Sequence, residues 1–296
     1  MNAGILFAFG AYLTWGIFPV YWKFLHGIPP LQLLSHRIIW SFLFLAVFLL
    51  STGQLRGFLS GIKRHRVMVI YPIAAVLIGI NWLTYVWAVN AGYIIETSLG
   101  YFINPLLNIL LGVIVLRERL RRLQWLPVVL AAVGVIYLTF VYGRFPWIAL
   151  TLAVSFGIYG LVKKVAPLGS LFGLTLETGI LFLPALGVLI YAEITGKGSF
   201  LHGGTGPDLL MVGAGLVTTI PLLMFASAAQ RIPLSLLGII QYVAPTMQFL
   251  LGVLVYHESF DQEQLIGFCF VWCALVVFWV EGAWVHRRNR KTVAYK

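Results

Sequence analysis

The stretch Tyr101–Glu118, YFINPLLNILLGVIVLRE, returns 140 residues later as Gln241–Glu258, QYVAPTMQFLLGVLVYHE. Pro105 falls on Pro245, Leu110-Leu111-Gly112-Val113 on Leu250-Leu251-Gly252-Val253, and Glu118 on Glu258. Both copies read as long apolar helices, and they stand an odd number of span positions apart, as the fourth and the ninth. An odd separation turns the second copy upside down in a bilayer relative to the first. Inverted repeats of this kind build a site near the membrane midplane and rock around it. A second match, Trp15-Gly16-Ile17-Phe18 against Phe156-Gly157-Ile158-Tyr159, supports nearly the same period.

Composition agrees with a membrane setting. The 296 residues are 60% hydrophobic and 10% charged, whereas soluble domains carry about 25% charged residues. The formal charge of +11 does not point to nucleic acid, because the basic residues sit in short connections and near the C-terminus, not on one face. Cys269 and Cys273 are one helical turn apart, a poor geometry for a disulfide and too few ligands for a metal. No metal site and no cofactor are expected. The first apolar run carries Trp15, Pro19 and Lys23, and reads as a retained span, not a cleaved signal.

A span needs about 20 mainly apolar residues. Cutting at polar and Gly/Pro punctuation gives ten, approximately 3–24, 31–51, 67–90, 94–116, 122–141, 146–163, 170–192, 208–229, 233–256 and 263–284. With the N-terminus inside, sixteen Lys and Arg residues fall on the inner side and three, Lys23, Arg144 and Lys197, on the outer. That bias satisfies the positive-inside rule. The repeat agrees: Glu118 is flanked by Arg117 and Arg119, whereas Glu258 is flanked by His257 and Ser259. The expected architecture is all-α, ten transmembrane helices as two inverted five-helix repeats, 1–141 and 142–284. A basic tail, 285–296, follows, and both termini are cytoplasmic.

The blocks AYLTWGIFPVYWK (11–23), LLSHRIIWS (33–41), NWLTYVWAVN (81–90), ETSLGYFINPL (96–106) and LTLETGILFLP (174–184) resemble the RarD subfamily of the EamA, or drug/metabolite transporter, superfamily. The long block 217–260 extends the likeness almost from end to end. The resemblance implies a bacterial inner-membrane protein of ten helices that exports or exchanges a small metabolite or drug. It does not supply a substrate.

Ionisable residues at bilayer depth usually face a cavity or a partner. Arg37 lies roughly 9 Å into span 2 from the outer side, at 1.5 Å per residue. Glu177 holds the equivalent place in span 7, which starts from the inner side, so inversion sets the two at opposite depths and a direct bridge between them is not expected. Glu96, at the outer start of span 4, matches Arg37 better. An Arg37–Glu96 pair would either fix packing or close an outer gate. Glu177 lacks an evident partner except Lys163 or Lys164, which read equally well as headgroup residues; it either carries a proton during transport, if left unpaired, or has a hydrogen-bonded structural role. His36 is either a second titrating group or a hydrogen-bonded packing residue.

Pro105 and Pro245 are expected to kink spans 4 and 9 around a central cavity, since irregular backbone at this depth needs protein or water beside it. Asn81, Tyr101, Asn104, Gln241 and Tyr242 are the expected polar lining, with Trp15 and Trp82 as deep aromatics able to stack on substrate. Most other aromatics, Trp22 and Tyr85 among them, fit the interfacial belt. No His-Glu-x-x-His, paired intramembrane aspartates, Gly-x-Ser-x-Gly or Walker motif is present, so no catalytic residues are assigned. The reading is a secondary transporter working by alternating access, with the lipid bilayer, a small-molecule substrate and protons as its partners. The alternative is a structural or lipid-scrambling membrane protein.

Overall fold

The computed structural model describes residues 3–91, 93–143, 145–257, 262, 265–267, 269–270, 272–278 and 280–281. The tail 285–296, Arg144 and Glu258 lie outside these residues. The described chain is helical throughout, without strands: α1 Ala3–Lys23, α2 Pro30–Ser51, α3 Leu55–Ile62, α4 His65–Asn90, α5 Ile94–Ile114, α6 Trp125–Tyr142, α7 Trp147–Val165, α8 Ser170–Ile194, α9 Thr205–Arg231, α10 Leu234–Gln241 and α11 Val243–Leu254. Among the described residues nine segments are long and apolar enough to cross a membrane, α10 and α11 counting as one. Of the expected last span, 263–284, the described part is a shorter apolar helix, Leu265–Phe278.

Two boundaries have a local cause. Proline at the first position starts α2, where the missing N–H costs nothing. Gly143 closes α6 in the left-handed region at φ 70°, where a side chain would be strained. The short helix α3, not foreseen, carries Leu55, Phe58, Leu59 and Ile62 on one face, and Phe58 meets Phe172 edge-on at 5.8 Å.

The segment 233–256 is not one continuous helix. At Tyr242 the backbone makes a tight turn, its N–H donating to Ile239 O at 3.3 Å. Pro245 has no N–H to give Gln241 O, and its ring crowds that carbonyl, so the break falls one turn earlier. Its repeat mate Pro105 stands inside an unbroken α5. Proline can be absorbed in a membrane helix by local adjustment; of the two expected kink sites, the helix divides beside Pro245 and runs on through Pro105.

Helix neighbours come in matched sets at the repeat offset. α5 lies on α7 as α11 lies on α1; α1 lies on α9 as α7 lies on α4; α2 lies on α9 as α8 lies on α4. The mates α2 and α8 pack on each other, as do α5 and α10. Individual mates also touch. The Trp15 and Phe156 rings meet edge-on at 5.9 Å, and Tyr242 Oη donates to Phe102 O at 3.3 Å.

Small residues permit these contacts, because membrane helices gain little from apolar burial and rely on close approach. A Cβ on Gly215 would stand 2.5 to 2.8 Å from Trp40 and the Ser41 nitrogen on α2, and Ser41 Oγ donates to Gly215 O at 3.0 Å. A Cβ on Gly238 would stand 2.6 Å from Pro105 O on α5. Outside the bundle, large apolar side chains such as Phe140, Leu183 and Ile194 are largely exposed, as a lipid-facing surface requires.

Gly215→Val should force α9 off α2 and cost about 1–3 kcal/mol through overpacking. The measurement is the detergent-solubilised unfolding temperature, expected to fall by several degrees, whereas Gly187→Ala, whose Cβ meets nothing within 4 Å, should be neutral or better.

Candidate functional site

A cavity lies at the centre of the bundle, with about 180 Å³ open to the centre of a water-sized sphere. Its walls come from both halves of the chain: α1, α2, α4 and α5, then α7, α9, α10 and α11. Tyr12, Phe156, Leu222 and Gln241 mark its mid-bundle floor, and Trp22, Tyr85 and Gln248 carry it towards the end that holds Lys23 and Trp147. At the opposite end hydrogen bonds tie the helix ends together. There the Glu118 carboxylate accepts from Leu234 N (2.7 Å), Ser235 N (2.9 Å) and Ser235 Oγ (2.6 Å), satisfying free donors at the start of α10. Lys164 Nζ donates to Ile232 O, and Gln230 Nε2 to Leu168 O.

Six of the expected lining residues, Trp15, Asn81, Trp82, Tyr101, Asn104 and Gln241, do line this cavity. Their polar groups are partly engaged. Asn81 Nδ2 donates to Leu152 O (2.9 Å) and Ser155 Oγ (3.1 Å), tying α4 to α7. Asn108 Nδ2 donates to Gln241 Oε1 at 2.6 Å and more weakly to Asn104 Oδ1 at 3.4 Å, tying α5 to α10. Trp15 sits in an aromatic cluster with Tyr12 and Phe225 at ring separations of 5.5 and 5.7 Å. Tyr242 is not a lining residue: it is buried in the α5–α10 interface, its hydroxyl spent on Phe102 O. Gln241 and Tyr242 are neighbours, so one helical step turns the second side chain away from the space.

Arg37 also faces the cavity. Its Nε donates to Thr218 Oγ1 at 2.9 Å, and its guanidinium stands 4.9 Å from the Trp22 ring and 5.2 Å from Trp82. The anticipated Arg37–Glu96 bridge is not among the ion pairs of the described residues. Glu96 instead accepts from Ile148 N at 3.2 Å, where the first turn of α7 offers unsatisfied donors. His36 is on another face of α2, against Phe200 at 4.9 Å, in a second pocket with Gln32, Glu193 and His202.

Glu177 does have a cation. Lys163 Nζ lies 2.7 Å from its Oε1, with both side chains about 1% exposed, and Tyr159 donates to Oε2 at 2.9 Å. Of the two candidate partners it is Lys163 that turns inwards between α7 and α8 and does not reach for the headgroups. The pair does not line the cavity. Sequence reading missed Trp22 and Tyr85 as lining, because their nearness to span ends suited the interfacial belt equally well. Thr218 gave no signal in an apolar span. Among the described residues no cluster of three or more metal-ligating side chains occurs.

An all-helical membrane bundle with a central cavity walled by both halves of one chain defines a class of solute carrier, and the comparisons agree. The EamA-like transporter family profile matches residues 2–140 and again 146–280. The chain is 45% identical over 289 residues to a Streptomyces exfoliatus protein named Protein RarD, covering 98% of this chain and 92% of that one. It is 43% identical to Protein RarD of Escherichia coli K12, covering 97% of each. An "uncharacterized transporter" of Bacillus subtilis, YojE, shares 45% over 93% of each chain. A solved crystal structure matches with a TM-score of 0.69 at 19% identity, over 93% of this chain and 98% of its own, a likeness of fold alone. This chain belongs to the EamA-like transporter family.

Breaking the buried pair by Lys163→Met or Glu177→Met alone should cost about 3–5 kcal/mol, while the two changes together should recover most of it. Thermal unfolding of the four proteins in one detergent gives the coupling directly.

Proposed function

We propose that this chain is a secondary transporter that exports a small metabolite or drug by alternating access through the central cavity. The observation that carries the reading is the one-sided cavity: open space from mid-bundle to the Lys23 end, hydrogen-bonded contacts at the Arg231 end. In this reading the repeats are 1–141 and 142–284, inverted in the membrane, and the helix Leu265–Phe278 belongs to a tenth span. The matched helix neighbours and the double family match support that division. The bias of Lys and Arg supports both termini in the cytoplasm of a bacterial cell, which makes this conformation outward-facing. Rocking the repeats about the touching mates Trp15–Phe156 and Phe102–Tyr242 would open the other end.

Trp15, Asn81, Trp82, Tyr101, Asn104 and Gln241 then hold the solute. Tyr242 and the Lys163–Glu177 pair hold the helices that frame it, and Glu118 holds the inner side closed. Glu177 is a fixed partner of Lys163 in this scheme, so proton coupling does not run through it. A scrambling protein would need a polar groove open sideways to lipid; this polar lining is gathered at the bundle centre instead.

Purified protein in liposomes loaded with a small-metabolite extract tests the proposal. Export of a defined subset that saturates with concentration, read by mass spectrometry and without faster movement of fluorescent lipid between leaflets, is expected. Lipid movement without selective solute release would overturn it.

A further inference from the structure

Among the described residues, Arg37 is the one charged side chain that lines the central cavity. A guanidinium at this depth is costly and is normally answered by an acid or by a functional partner. Elsewhere the chain answers its buried charges internally: Lys163 with Glu177 at 2.7 Å, and Glu281 with Arg121 at 3.3 Å. Glu118 is held by the start of α10 and Glu96 is bound by Ile148 N. Arg37 has no carboxylate within ion-pair distance among the described residues. What holds it is neutral: the Thr218 hydroxyl on Nε and the faces of Trp22 and Trp82.

Those contacts fix the guanidinium without discharging it. One hydrogen bond on Nε orients the plane, and two indole faces restrict its tilt and lower the cost of the cation. The two terminal nitrogens are the fork that matches a carboxylate with paired, charge-assisted hydrogen bonds. Beyond the guanidinium the walls combine the aromatic faces of Trp15, Tyr101 and Phe156 with the neutral amides of Asn104, Gln241 and Gln248, so they suit a flat uncharged body and not a second charge. The amide of Asn81 is already committed to α7 and does not compete for the acid.

We propose that the transported solute is a small monocarboxylic acid with an aromatic or similarly flat uncharged body, its carboxylate seated on Arg37. This rests on the transport reading above and names the class of solute for the same cavity. Arg37 is then a selectivity residue and not a gate. Its repeat mate Glu177 differs because its charge is met by Lys163 inside the protein, while that of Arg37 is met by cargo.

The test uses the full chain in lipid nanodiscs and matched probes: benzoate, phenylacetate and 3-phenylpropanoate, each against its own neutral amide, with 2-phenylethylamine as the cation. Ligand-induced stabilisation, which grows with concentration over Kd, gives the half-saturating concentration of each. At least one acid should bind about tenfold or more tightly than its amide, as a charge-assisted fork should give, and the amine should bind no better than the amides. Arg37→Gln should erase the difference and Arg37→Lys keep part of it. Thr218→Val should weaken the acid several-fold more than the amide, which holds the test open should Arg37→Gln fail to fold. The proposal is overturned if no acid in the set outperforms its amide, or if Arg37→Gln keeps the preference. Equal binding of acid and amide would remove anion selectivity and leave a solute cavity in place; failure of the transport reading shows separately, as absent flux in liposomes.

Discussion

Hydrocarbon offers no water to an exposed amide or charge, so a polar group between these helices is costly unless the chain or a ligand answers it. That constraint orders the rest of the structure. It makes the backbone helical, and it turns Lys163 inwards onto Glu177 and Tyr159. It sets Glu118 on the open donors of α10 and Glu96 on the start of α7. It also concentrates what is left over. Arg37 and the amides around Gln241 gather in the one central space that both halves of the chain enclose.

The repeat explains how one sequence motif yields two different local answers. Mates that fall at the centre meet each other, as Trp15 meets Phe156 and Phe102 meets Tyr242. Mates that lie along the helices, such as Arg37 and Glu177, are held apart and meet unlike surroundings. One becomes a sealed ion pair and the other a cavity wall. Pro105 and Pro245 diverge similarly, the first within a continuous helix and the second behind a break at Tyr242.

Much of the fold was legible in the sequence because its signals are collective. Long apolar runs do not depend on the direction of any single side chain. Six lining residues were legible for a related reason: polar and large aromatic groups in mid-span have few places to go. What escaped depends on rotation about a helix axis and on a few ångströms of depth. Tyr242 follows Gln241 yet faces away. Lys163 sits near a span end, where reaching for headgroups and turning inwards look the same in one dimension. Trp22 and Tyr85 suited a belt, Thr218 is neutral, and the acceptor role of Glu96 required knowing that α7 begins beside it.

The central claim is that the cavity floor meets each side of the membrane in turn. Cys269 and Cys273 can be replaced by serine and a single thiol introduced as Ala244→Cys, a small buried residue on the cavity wall. A membrane-impermeant thiol reagent is then applied to right-side-out and to inverted vesicles, and the labelled fraction is measured. Alternating access predicts labelling from both faces, faster from the outside. Labelling from one face alone, whatever solute is present, would contradict the account.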